Sequence, residues 1–141
     1  MNRLEFVTKQ RNKKQEQEYL DFVIDGKSLF DYLRLVDMDL ISPFGWGNNK
    51  DYECQLQKEF CLESLPVLNS RRIMFYVCPE CGDIGCGAIT GKITENINGQ
   101  IEWADFGYEN DIEGIVEKYS YIRFCFDKAE YLQIFESLQK T

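Results

Sequence analysis

Histidine is missing from all 141 residues, and no other feature of the composition excludes as much chemistry. Ser-His-Asp and Cys-His catalysis, histidine metal triads and histidine general bases all fall with it. The chain also lacks a G-x-x-x-x-G-K-[ST] phosphate loop, and no G-x-G-x-x-G follows a predicted strand, so a nucleotide-using enzyme loses its usual cradle. Long apolar runs are absent: none approaches the ~20 residues that cross a bilayer. The first residues lack a signal-peptide core, so the expected location is the cytoplasm and no membrane partner is expected. Cysteines there stay reduced unless they bind metal or do redox work. Bases are scarce too. A formal net charge of −8 argues against nucleic acid, whose phosphates call for a basic patch, and suits a basic protein partner or plain solubility.

What is present is unevenly spread. Residues 1–14 hold five bases and one acid, so the rest is more acidic than the total suggests. Between 102 and 117 stand Glu102, Asp105, Glu109, Asp111, Glu113 and Glu117 with no base among them. Such a run is either a solvated acidic loop or a docking surface for a basic partner. In the second case Glu102, Asp105, Glu109, Asp111 and Glu113 make the contacts, with Tyr108 as an aromatic anchor.

The length fits one domain, able to bury ~70% of its unfolded surface, with no repeat and no internal boundary. Residues 3–8 read as a short strand, 9–18 as a mobile polar loop or hairpin tip, and 19–24 as a strand ending at Asp25-Gly26. Dense apolar residues over 29–36 predict a brief helix or a further extended piece. The loop 41–49 carries Phe44 and Trp46, either as plugs for the core edge or as a binding surface. Near-helical spacing predicts a helix over 51–62 with Asp51 as N-cap. Residues 72–78 (RIMFYVC) form the clearest buried strand, and 86–97 and 101–106 form a hairpin about Asn98-Gly99. A three-residue loop there, with Gly99 left-handed, pairs Ile93 with Trp103 on one face. The acidic stretch 107–119 reads as a loop and 121–126 as a strand. Asp127 caps an amphipathic helix over 128–139 with Tyr131, Ile134, Phe135 and Leu138 on one face. The expected class is α+β: one domain, a mainly antiparallel sheet, an amphipathic C-terminal helix and one or two further helices.

The chemistry-bearing stretch is Tyr76-Val77-Cys78-Pro79-Glu80-Cys81-Gly82-Asp83-Ile84-Gly85-Cys86-Gly87-Ala88-Ile89. Cys78-x-x-Cys81-Gly resembles a knuckle that presents two thiolates to zinc, and Cys86 is a candidate third ligand. Cys54, Cys61, Cys125 or Asp83 completes four only if the fold brings it close. A redox role for Cys78 and Cys81 would call for a helix N-terminus that the strand–turn–strand context does not supply. The third reading is structural: small reduced cysteines and glycines that let two strands turn. No cofactor is required by the sequence; zinc is the one it admits.

These residues resemble a bacterial family of small proteins without an assigned mechanism. Its members read roughly V-C-x-E-C-G-D-[LI]-G-C-G-A, then W-x-[DN]-F-G-[YW], then F-x-F-D-[RK]-A-x-Y. Here they are Val77 to Ala88, Trp103-Ala104-Asp105-Phe106-Gly107-Tyr108, and Phe124-Cys125-Phe126-Asp127-Lys128-Ala129-Glu130-Tyr131. Some members of that family bear an oxidoreductase label, which implies thiol- or flavin-dependent chemistry at Cys78, Cys81 and Cys86. In overall type, a small acidic protein of this build is similar to immunity proteins of contact-dependent toxin systems. That likeness implies a cytoplasmic protein without catalytic residues that neutralises a basic toxin domain. The sequence therefore favours an interaction protein of the immunity type. A thiol or flavin oxidoreductase and a zinc-stabilised binding module are the alternatives.

Overall fold

The computed structural model describes residues 1–11, 14–35, 37–46, 50–119 and 121–138. The tip of the first hairpin at 12–13, Val36, the loop end at 47–49 and the expected last helical residue 139 lie outside them. The chain is an α+β domain with two antiparallel sheets. Strands β1 (Leu4–Arg11), β2 (Lys14–Ile24) and β3 (Lys27–Ser28) form the first sheet, and α1 (Leu29–Tyr32) follows directly. Helix α2 (Lys50–Phe60) leads to the second sheet. There β4 (Ile73–Tyr76), β5 (Ala88–Glu95), β6 (Ile101–Asn110) and β7 (Gly114–Tyr119) lie in that order, and β8 (Phe124–Phe126) pairs with the start of β6. Helix α3 (Lys128–Leu138) closes the chain.

Several expectations hold in detail. Ile93 pairs with Trp103 across β5 and β6, and Gly99 is left-handed at φ 75°. The loop is closed by Asn96 N–H to the Gln100 carbonyl at 2.8 Å. The carboxylate of Asp127 accepts the Glu130 N–H at 3.0 Å and starts α3 where the capping pattern placed it.

Three local expectations are corrected. The polar residues 9–11 and 14–18 are strand, paired as Gln10↔Glu18 and Arg11↔Lys14; ladder hydrogen bonds there do not need an apolar face. The acidic stretch 107–119 is not a loop. Residues 107–110 extend β6 and 114–119 form β7, with a turn only at 111–113. Asp51 lies inside the first turn of α2, so it is not the N-cap.

The core is aromatic. Phe60 at the end of α2 stacks on Phe22 at 5.6 Å and meets Phe75 edge-on at 4.8 Å. Trp103, fully buried, donates its indole N–H to the Tyr131 hydroxyl at 3.0 Å, and that hydroxyl donates to the Phe60 carbonyl at 2.7 Å. One chain of hydrogen bonds thus ties β6, α3 and α2 inside a core that satisfies each polar atom on it. Phe44 plugs this core, as one reading of its loop had it, and Trp46 is half-buried.

Candidate functional site

Two features of the second sheet carry chemistry: the turn between β4 and β5, and the outer end of the β6–β7 hairpin. The first is built from the backbone outward. A bridge between Ile41 and Val77 fixes the chain as it leaves β4. Gly82 N–H then closes the Cys78–Cys81 turn on the Cys78 carbonyl at 2.8 Å, with Gly82 left-handed at φ 65°. Tyr52 of α2 donates its hydroxyl to the Gly82 carbonyl at 2.7 Å. Arg11, at the end of β1, reaches Glu80 at 3.0 Å while Asp39 holds its other edge at 2.7 Å. Asp83 caps a single 3-10 turn over Ile84–Cys86 by accepting the Gly85 N–H at 3.2 Å. Gly87 has φ 87°, and a Cβ there would fall 2.0 Å from the Tyr108 hydroxyl. Tyr108, expected as an anchor for a partner, therefore packs on the corner of its own chain.

This scaffold gathers three thiols. The sulfur atoms of Cys78, Cys81 and Cys86 lie within 4.8 Å of one another, and those of Cys81 and Cys86 are 2.8 Å apart. Tetrahedral zinc with Zn–S of about 2.3 Å spaces its sulfurs by about 3.8 Å, so closure on a metal calls for movements on the order of 1 Å. Burial would raise the Cys78 thiol, but the amide N–H groups of Cys81 and Glu80 and the two neighbouring thiols outweigh it and lower its pKa. Amides aimed at the first sulfur are what a metal knuckle supplies to a thiolate. Cys86 is pushed the other way, up to about 12, by its hydrogen bonds with Cys81 and then Cys78. The two thiols are thus shifted in opposite directions, and a cation among the sulfurs would favour the thiolate form of each. These three residues could hold a metal ion. Among the described residues, Cys54, Cys61, Cys125, Asp83 and Asp111 all lie outside their cluster. Cys81 and Cys86 face solvent, and a cleft lined by Trp46, Tyr52 and Glu53 opens beside Cys81.

The acidic run divides. Asp105 sits at a β-bulge with φ 56°. The extra residue there lets Trp103 and Phe106 both enter the core, and the Asp105 carboxylate meets Arg72 at 3.0 Å. Glu109 is only 6% exposed; it accepts the Thr90 hydroxyl at 2.8 Å and stands 3.5 Å from Arg72. Arg72, 1% exposed, also donates to Thr90 and to the Asp105 carbonyl. Gly107 makes room for this, since a Cβ there would lie 3.4 Å from the Arg72 guanidinium and 2.6 Å from the Glu117 carbonyl. Burial would raise the Asp105 carboxyl, but Arg72, with Lys118 and Lys92 beside it, holds it below the usual range. Asp105 and Glu109, expected on a docking rim, are thus engaged by an internal base. Glu102 is half-buried and lies 3.7 Å from Arg123. Asp111, Glu113 and Glu117 remain exposed.

Sequence reasoning missed Arg72 as a site residue. Its one visible signal is a base immediately preceding the most apolar strand in the chain. It also missed the apolar residues of the outer hairpin: Ile112 in the turn is 94% exposed and Val116 on the last strand of the sheet 52%, interleaved with exposed acids. Comparison with protein-family models, curated protein sequences and solved structures finds no match.

Proposed function

We propose that this chain is a small acidic interaction protein that binds and neutralises a basic partner, with toxin immunity as its setting and the outer β6–β7 hairpin as its docking surface. One observation carries the reading. Asp111, Ile112 and Glu113 stand exposed in the turn that leads into β7, and Val116 and Glu117 stand exposed on β7 itself, the strand that ends the sheet. Apolar side chains exposed at that level on an edge strand are a liability unless something covers them. Acids around them select a basic surface and speed its approach.

The test is affinity for a purified basic toxin domain, encoded beside this gene, across a salt series. Asp111→Lys with Glu113→Lys is expected to weaken binding at least tenfold at low salt and to flatten the salt dependence. Affinity indifferent to both salt and charge reversal removes the proposal.

The thiol cluster supports a second, compatible reading, in which zinc at Cys78, Cys81 and Cys86 stabilises the module. Thiols converging from two sides of a turn, with amides aimed at the first, suit zinc better than a catalytic dithiol. Protein purified without chelator is expected to carry close to one zinc per chain. Less than about 0.2 per chain excludes this reading.

A further inference from the structure

Three thiolates leave a tetrahedral zinc ion one ligand short. Two carboxylates approach the open side of the corner. A Cβ built on Gly85 would lie 3.7 Å from Asp111 Oδ2 and 3.9 Å from Asp83 Oδ2. Asp83 is already committed to capping the turn through Cys86. Asp111 differs: among the described residues its carboxylate has no hydrogen-bond or ion-pair partner. The sheet explains its position. The β5–β6 ladder ends at the pair Ala88↔Glu109, which lies two residues after Cys86 on one strand and two before Asp111 on the other. The backbone there is fixed independently, because the Asn110 side chain accepts the N–H groups of Ile112 at 3.0 Å and Glu113 at 2.7 Å. An unpaired carboxylate thus stands at a braced turn beside Gly85, next in sequence to Cys86 but outside the thiol cluster itself. Closure on a metal therefore calls for the Asp111 side chain to move as well as the sulfurs.

We propose that Asp111 is the fourth ligand of a zinc site completed by Cys78, Cys81 and Cys86. The assignment rests on the zinc reading above and adds a consequence to it. Ile112 and Glu113 follow Asp111 directly, so a metal bound at the corner would pin the tip of the docking hairpin. Metal occupancy then sets how that surface is presented to a partner, and it withdraws one of the surface's free acids.

The test titrates the reduced, metal-free protein with Co²⁺ and then displaces it with Zn²⁺. The wild type is expected to give thiolate-to-cobalt charge transfer and the intense d–d absorption of a tetrahedral site. Asp111→Asn is expected to weaken Zn²⁺ binding about 10–100-fold, whereas Asp83→Asn, which keeps a capping side chain, leaves it within about threefold. Asp111→Cys is expected to add a fourth thiolate, raising the charge-transfer intensity by about a third and tightening zinc. A cobalt spectrum in Asp111→Cys indistinguishable from wild type overturns the assignment and leaves zinc at the corner. So does a loss of affinity in Asp83→Asn but not in Asp111→Asn. A wild type that gives no cobalt spectrum overturns the zinc reading itself. Amide exchange over residues 110–114 is expected to slow on zinc addition in the wild type and not in Asp111→Asn; equal slowing in both overturns the coupling.

Discussion

Residues 105–109 and residues 111–113 belong to one acidic run, yet they have opposite fates. In the first stretch the bulge at Asp105 and the gap at Gly107 admit Arg72, and both carboxylates are neutralised inside the protein. In the second no base among the described residues pairs with Asp111 or Glu113, and the acids stand in solvent beside exposed apolar side chains. The difference teaches that a row of like charges is not a surface. Which members stay free depends on where a distant base is buried, here one more than thirty residues upstream.

Breaking the inner half should have the largest effect. Arg72→Met leaves Asp105 and Glu109 without their buried partner and is expected to cost about 3–5 kcal/mol in urea unfolding. Adding Glu109→Gln to it should recover part of that loss, since it removes one uncompensated charge. Equal stability of Arg72→Met and the wild type would erase the contrast between the halves. Zinc comes next. At a hundredfold excess over its dissociation constant it should stabilise the wild type by about 2.7 kcal/mol and Cys81→Ser far less, read as a shift in thermal midpoint.

Acid titration sharpens the comparison further. The folded-state pKa of Asp105 is depressed, so its contribution is fully present above the unfolded value of about 3.9. It is lost as pH falls through the lower folded value. Urea midpoints of the wild type should therefore fall in that acid range, and Asp105→Asn should show a shallower fall. The smallest effect belongs to the outer half: in the metal-free protein Asp111→Lys with Glu113→Lys should change stability by less than about 0.5 kcal/mol, even though it is expected to weaken partner binding.

What the sequence made legible follows from where periodicity is enforced by burial. The Ile93–Trp103 register could be read because a slip of one residue would expose the indole, and the cap at Asp127 because capping is a local event. The hairpin arms around residues 9–18 could not, since backbone pairing there leaves no apolar alternation to see. Residues 107–119 were obscured for a related reason: β7 is exposed at every position from Gly114 to Lys118, so its acids and apolar residues follow no alternation of burial. At the cysteine corner the spacing offered two candidate ligands and suggested a third. That Cys86 folds back on Cys81, and that Asp111 arrives from the neighbouring hairpin, depend on the 3-10 turn and the β5–β6 register.

The end position of β7 has one more consequence. A strand edge without a partner among the described residues invites a second copy of the same protein, and an antiparallel pairing about Ile115 would set Glu113 against Glu117 twice over. That pairing sums like charges at close range, whereas a strand carrying lysine or arginine meets no such barrier. The acids that would welcome a foreign basic strand therefore also oppose self-pairing in that register.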